Sequence, residues 1–600
     1  MKKMFFTLLL VALAMPTMAE NRSDSEMAAI ASQKLFGAQV KGLNGAAATS
    51  LKRVFTDKAI AVFSPENEGR FVIVGRDDRL RPVLGYAKGA FDINKIPCGM
   101  KAWLSSINRT LQKMDAAGIK DAAPLKSDVD FTPVSPLITT KWTQDEPFND
   151  LLPMVGEGDL RTHALTGCVA TAMGQVMNYW QWPAAAEFIG SYYLNNLPTP
   201  FSVQVNSQYS WPLKSAYGWY LIDGYEDPEI ADSWDQIEYT EDEAKAIATL
   251  MRDCGAAVKM QYEYGAASSS LSDAAVAFPK NFSYSASAIQ FRPRMYYTDE
   301  EWLSFIYSEL QAQRPIIYGA EYVHEIEDSE TKEIYEVAEA HAFILHGIDA
   351  DGLIDINWGW YGWCDGFYAL DAFNCPQGNF NDNAQMLTGI TVEPLPIDAY
   401  HSCMVTSECK FYYTPNENPA IKVTLDNFHS ATYQTFTGRF YMVIQDLDGG
   451  EPAYLDIYRQ ENDVTLNMGA GYQQFLGYPE AASFEPGHSY RLYVASRAAN
   501  EDSYQPVRYY GKLTGPICFT LTIDDSGNGV ITGPEIMEEF LLTGVKTVKQ
   551  EPMDDGITRV YDMQGRLVHT APTATFNLWK VPARGVLVVK QGNTVRKVAR

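Results

Sequence analysis

The 600-residue chain carries 48 basic and 74 acidic side chains, a net charge of −26, which repels phosphate backbones and excludes nucleic acid as a natural partner. With 46% hydrophobic residues the chain can bury several cores, so general disorder is excluded and roughly three to five domains are expected. Eight cysteines in this length are too few for a disulfide-held scaffold.

In chain order, residues 1–19 come first, with Lys2 and Lys3, an apolar run from Met4 to Met15 and a small-residue end at Thr17-Met18-Ala19. This is the pattern of a secretory signal peptide. No later run of about 18 apolar residues follows, so the mature form is expected to be exported and to lack a transmembrane segment. Residues 20–130 are expected to form a smaller α+β unit. Its elements are a helix over Ser25–Leu35, strands at Ile60–Phe63 and Phe71–Gly75 around a turn at 65–69, and a helix over Met100–Met114. Residues 116–130, small and charged, form a candidate cleavage linker.

The stretch Thr166-Gly-Cys-Val-Ala-Thr-Ala-Met-Gly-Gln-Val-Met-Asn-Tyr-Trp-Gln-Trp-Pro183 spaces Val169, Ala172, Met173, Val176, Met177 and Trp180 as a helix does, with Thr166 as N-cap and Pro183 as the stop. Cys168 then sits in the first turn, where unpaired backbone N–H groups and the helix dipole favour a thiolate, the nucleophilic form. Far downstream, Glu339-Ala-His-Ala-Phe-Ile-Leu-His346 alternates as a buried strand, followed by a turn at Asp349–Gly352 and a second strand ending at Asn357-Trp358-Gly-Trp360. A period of two puts His341 and His346 on opposite faces. His341 is the candidate base for Cys168 and His346 a structural residue. Asn357 could accept the imidazole N–H and orient it, with Trp358 shielding that bond.

These blocks, with Trp142-Thr-Gln-Asp-Glu-Pro-Phe-Asn149 upstream and Asp365-Gly-Phe-Tyr368 downstream, resemble the streptopain family of papain-like cysteine proteases over about 133–394. The resemblance implies that Gln144 helps form the oxyanion hole. It also implies that residues 20–130, notably Arg70-Phe-Val-Ile-Val-Gly-Arg-Asp-Asp78 and Pro82 to Phe91, are an inhibitory prodomain. Ala340, His346 and Tyr361 stand where the family usually has Gly, Asp and Gly, departures that bear on the substrate pocket.

Within the same region Asp223–Asp235 is an acidic loop, Thr240-Glu-Asp-Glu243 is a capping pattern for a helix to Gly255, and the acidic run Glu321–Glu339 reads as a solvated hairpin tip. Beyond Pro396 short alternating segments (410–413, 420–425, 439–445, 490–496, 517–523) predict a β-sandwich of immunoglobulin-like type over 396–539. Asp524, Ser526, Asn528 and Glu535 mimic a calcium loop, but a strand precedes them, so a hairpin turn is expected. Leu541 to Arg600 holds ten basic and four acidic residues, leaving −32 on the rest. Arg559–Val568, Lys580–Lys590 and Val595–Val598 resemble the C-terminal sorting domain of the type IX secretion system, placed at 540–600. Among the cysteines, Cys364 with Cys375 and Cys403 with Cys409 could form loop staples, although free thiols are favoured. No spacing makes a metal site.

The expected protein is therefore an α+β, papain-like cysteine endopeptidase (131–395), made as a secreted zymogen and followed by β-sandwich domains. Cys168, His341, Gln144, Asn357 and Trp358 are its catalytic set, and it needs no cofactor. Its partners are protein or peptide substrates, its own prodomain and the type IX machinery. An acyl transferase of the same fold and a catalytically idle surface adhesin are the alternatives.

Overall fold

The structure is a computed structural model. It describes residues 21–37, 51–116, 118–119, 132–211, 239–370, 384–395, 403–542 and four strands within 557–599, apart from gaps of one to four residues inside these ranges. The signal-peptide stretch 1–19, the acidic loop Asp223–Asp235, Cys375, and most of the linker lie outside the described residues. Residues 1–542 belong to one compact unit and 543–600 to a second.

The N-terminal segment begins with α1 (Asp24–Phe36), started by a capping box in which Ser23 and Glu26 satisfy each other's backbone N–H groups. Four strands follow: β1 (Leu51–Thr56), β2 (Ile60–Pro65), β3 (Arg70–Gly75) and β4 (Val83–Lys88). They pair antiparallel in sequence order, and α2 (Cys98–Ala116) closes the segment. The sequence foretold α1, β2, β3 and α2. It missed β1, which is largely exposed, and β4, whose Gly85 interrupts a short apolar run.

The next region contributes α3 (Cys168–Trp180), α4 (Glu241–Ala257), α5 (Leu271–Phe282), β5 (Gln290–Pro293), α6 (Asp299–Gln311), β6 (Ile316–Glu327), β7 (Ile334–Ile348), β8 (Ile354–Asn357), β9 (Gly366–Tyr368) and β10 (Gln385–Thr388). The expected capping box at Thr240 and Glu243 starts α4. Of the acidic run Glu321–Glu339, the backbone of 321–327 and 334–339 lies in the distal, paired halves of β6 and β7, where Glu327 pairs with Ile334, and 328–331 and 333 lie outside the described residues.

One sheet joins both regions, in the order β1-β2-β3-β4-β9-β8-β7-β6-β10-β5. The seam is β4 against β9, with Tyr368 opposite Gly85 and Gly366 opposite Ala87. A side chain at Gly85 would meet the Tyr368 ring at 2.4 Å, so only glycine lets the two strands approach. Strand β7 lies in the middle and alternates between two cores. Ala342 and Ile344 face α3, α4 and α5 with Met173, Met251 and Phe278. Phe343 and Leu345 face α2 and α6 with Trp103, Ile107 and Trp302.

Residues 404–536 are strand-rich, as expected, with all five foretold segments extended and seven more strands described beside them. Phe411, Phe428, Phe440, Leu492 and Phe519 centre their core. The nominal calcium loop is a hairpin turn: the Asp524 carboxylate accepts the N–H groups of Ser526 and Asn528 at 2.9 and 2.8 Å, while Glu535 lies in the returning strand opposite Cys518. Strand pairing has consumed the pattern. Cys364, Cys403 and Cys409 are free thiols, so a Cys403–Cys409 staple is absent. Among the described residues no helix is long and apolar enough to cross a membrane. In the second unit four strands pair antiparallel in the order Leu567–Pro572, Ile557–Tyr561, Val586–Gln591, Thr594–Ala599.

Candidate active site

Helix α3 starts at Cys168, as the apolar spacing implied, but its N-cap is Gly167 at φ 83° and not Thr166. Thr166 turns its hydroxyl inward to Thr171 at 2.7 Å. Without a capping side chain, the first-turn N–H groups remain available to the sulfur, and the thiol accepts from the backbone N–H of Val169 and of Ala342. Burial pushes the Cys168 thiol up; the charge and hydrogen bond of His341 and these N–H groups outweigh it, and the net shift is downward. Burial likewise opposes charge on His341, yet Cys168 and a second thiol raise it well above its ordinary range. The pair therefore favours thiolate and imidazolium.

His341 is held on its far side by the Trp358 backbone, with Nε2–H donating to the carbonyl oxygen at 3.3 Å. Trp358 is fully buried, packs its ring at a tilt 4.8 Å from Phe343, donates from Nε1 to the Cys364 carbonyl at 3.0 Å, and has its own N–H accepted by Asp365 at 2.9 Å. Asn357, expected to orient the imidazole, does something else. It pairs with Ile344 in the β7–β8 ladder, which places its side chain on the face opposite His341. There its amide donates to the Thr140 carbonyl at 2.8 Å and to Gln175 Oε1 at 3.2 Å, and its oxygen accepts from Gln175 Nε2 at 3.1 Å. The next residue, Trp358, reaches the His341 face and supplies the contact.

Gln144 is buried, and its carbonyl accepts the Thr166 N–H at 3.1 Å, which ties its segment to the turn entering Cys168. Tyr361 adopts φ 54°, a left-handed backbone that glycine reaches without strain, and its hydroxyl bonds Thr143 and Asp145 on either side of Gln144. His346 takes the structural role expected of it. It is buried on the other face, its Nδ1 accepts from Ile138 N–H at 3.3 Å, and burial drives its pKa down to about 3, so it stays neutral.

Two participants escaped the sequence. Gln175 lies seven residues after Cys168, two turns along one helix face, and was detectable as a polar residue in an apolar helix. Cys98, at the start of α2, hydrogen-bonds to His341, a contact between segments some 240 residues apart that no local pattern announces.

Comparison with known proteins fits this geometry. Residues 142–368 match the profile of the Peptidase C10 family, and residues 22–111 that of the Spi protease inhibitor family. Residues 142–368 are thus a peptidase C10 region. Members of this family are cysteine peptidases, and the match spans every candidate residue except Cys98. The thiol protease/hemagglutinin PrtT of Porphyromonas gingivalis is 29% identical over 423 residues, 65% of this chain. Streptopain of Streptococcus pyogenes is 29% identical over 349 residues, 54% of this chain. The chain spans 44% of the length of the former and 78% of the latter. Among solved structures, the prointerpain A fragment of Prevotella intermedia is 30% identical over 57% of this chain and 99% of its own, with a TM-score of 0.45. Active interpain A of the same organism covers 44% and 97%, at 30% identity and a TM-score of 0.33.

Proposed function

We propose that this C10 peptidase is an endopeptidase made as an exported zymogen. The observation that carries the reading is Cys168 in the first turn of α3, hydrogen-bonded to an imidazole that the Trp358 carbonyl holds from behind. The Cys168 thiolate attacks the scissile carbonyl, and Gln144 together with the Cys168 backbone N–H stabilises the oxyanion. His341 then protonates the leaving amine, and water releases the acyl group. Asn357, with Gln175 and Thr140, fixes the strand end from which Trp358 reaches His341. This is a positioning role in place of a direct contact.

The inhibitor-like segment acts as a prodomain. Its β4 extends the catalytic sheet, and Gly99 lies so close that a Cβ there would sit 2.6 Å from His341 Cδ2 and 2.8 Å from Trp358 Cε3. Substrate and this segment therefore compete for the same space. Full-length protein should cleave casein only after the segment is removed, and the Cys168→Ala protein should retain it. Loss of the segment from purified Cys168→Ala protein would refute self-processing.

Residues 404–536 serve as a β-sandwich brace, and 540–600 as a type IX sorting signal, the latter supported by its opposite charge. Deleting 543–600 should trap the protein in the periplasm while the processed enzyme keeps its peptidase activity. Normal secretion of that truncation would refute the sorting role.

A further inference from the structure

Helix α2 is seated on the catalytic region by its apolar face. Trp103 Nε1 donates to the Ala369 carbonyl at 2.9 Å, its ring stands edge-on to Tyr368 at 5.2 Å, and the Tyr368 hydroxyl reaches Met100 Sδ at 3.8 Å. These contacts aim the helix start at the catalytic imidazole. Gly99 packs against His341 and Trp358 with no room for a side chain, and Cys98, beside it, places its thiol in hydrogen-bond contact with the ring that also bonds Cys168. Cys98 is half-buried, as Cys168 is, whereas Cys254, Cys364, Cys403, Cys409 and Cys518 are buried.

We propose that Cys98 is a second reactive thiol of the latent centre: it shares the His341 imidazolium with Cys168, thereby helping to keep the precursor idle, and it is a site of covalent modification by soft electrophiles and low-molecular-weight disulfides. An imidazolium has two N–H donors, and one is given to the Trp358 carbonyl, so two thiols and a carbonyl draw on two donors. One positive charge neutralises one thiolate. Whenever Cys98 is ionised, Cys168 faces a like charge and loses part of its support. Among the described residues, the ionisable groups facing Cys98 are His341 and Cys168. Burial pushes the Cys98 thiol up and Cys168 does the same, but the hydrogen bond and charge of His341 prevail, so the net shift is downward.

The chemistry balances simply. With iodoacetamide the Cys98 sulfur forms a bond to the methylene carbon and iodide leaves. With a small disulfide it forms a mixed disulfide and expels the other half as a thiolate, and excess free thiol reverses the exchange.

The consequence for latency rests on Cys168 and His341 being the catalytic pair; the labelling does not, and this separates the two. Full-length Cys168→Ala protein is treated with iodoacetamide across pH 5 to 10, and the Cys98 peptide is followed by mass spectrometry. Labelling of Cys98 should outpace that of the buried cysteines. Its midpoint should lie below the ordinary thiol value of about 8.5 and should rise by about a unit or more in the Cys168→Ala, His341→Ala double variant. In the otherwise native precursor, Cys98→Ser should speed self-removal of the N-terminal segment several-fold, with an unaltered melting profile confirming the fold. A midpoint indifferent to His341, or a Cys98 that labels no faster than the buried thiols, overturns the shared-imidazolium site. A labelling shift with unchanged processing in Cys98→Ser overturns its part in latency. A labelling shift in a precursor that never acquires peptidase activity supports the thiol site and counts against the peptidase reading.

Discussion

The catalytic region is gripped on two sides, and the two grips use different physics. On the N-terminal side the contact is backbone pairing of β4 with β9, apolar packing of α2, and a thiol at His341. Its rim carries partly exposed ion pairs, such as Lys34 with Asp349 at 3.0 Å and Asp351 at 2.8 Å. On the C-terminal side the contact centres on a buried ion pair. Arg508, 3% exposed, pairs with Glu301, which has no exposed surface; its Nε donates to the Tyr296 carbonyl at 3.0 Å, and the Leu542 N–H donates to Glu301 at 2.6 Å. The first grip reaches the chemistry and the second does not. Their difference implies that the N-terminal contact governs when the enzyme works, and the C-terminal one whether it stays folded.

The largest effects should fall where the first grip ends, at the catalytic pair. Cys168→Ala and His341→Ala should each lower kcat/KM on a casein-derived peptide by about 10^4 or more, as removal of a member of a catalytic unit does. Gln144→Ala should cost roughly 10^2 to 10^3, the loss of one oxyanion donor. Substantial turnover by the processed Cys168→Ala protein would break the comparison at its root.

At the second grip the expected loss is in stability alone. Arg508→Ala leaves the buried Glu301 without its partner, which typically costs about 3–5 kcal/mol. Thermal or urea unfolding should show that loss while kcat/KM of the processed enzyme at 25 °C stays within about twofold. A large fall in kcat/KM would mean that the brace reaches the active site. Replacing both partners by apolar residues should recover much of the stability, because it removes the two buried charges together.

What the sequence disclosed follows the same division between local and distant. Cys168 and His341 were legible because each sits in a local pattern, a helix start and an alternating strand, with the resemblance setting their pairing. Asn357 was misassigned because the decisive fact was register: which β7 residue it opposes settles which face its amide takes, and a bulge between Leu345 and Gly347 lies in that ladder. Thr166 was a reasonable N-cap by residue type, but its hydroxyl found Thr171 and left the cap to Gly167. The continuous sheet and Cys98 were illegible for a common reason, since both arise where the N-terminal segment meets strands some 240 to 280 residues later. Expecting the helix, strands and prodomain character of that segment did not reveal which of its edges would pair with the enzyme.

A last difference between the two grips concerns pH. Beneath the N-terminal seam, Asp355 is 5% exposed on β8, and burial, followed by the nearby charge of Asp365, raises its pKa to about 8. In the unfolded chain it titrates near 3.8. Between those values the native state holds a proton that the unfolded chain has released, so this group stabilises the fold at low pH and withdraws that support as pH rises towards 8. The slope for one such proton is about 1.4 kcal/mol per pH unit. Asp355→Asn keeps the shape and removes the titration. Compared with the parent on the Cys168→Ala background, which prevents self-cleavage, it should gain stability progressively from pH 5 to 8 in urea unfolding, with the smallest difference at pH 5. The Arg508→Ala loss should stay nearly constant over the same interval, since the Arg508 guanidinium keeps its charge throughout it. A pH-independent effect of Asp355→Asn would show that the N-terminal seam is no more pH-sensitive than the C-terminal one.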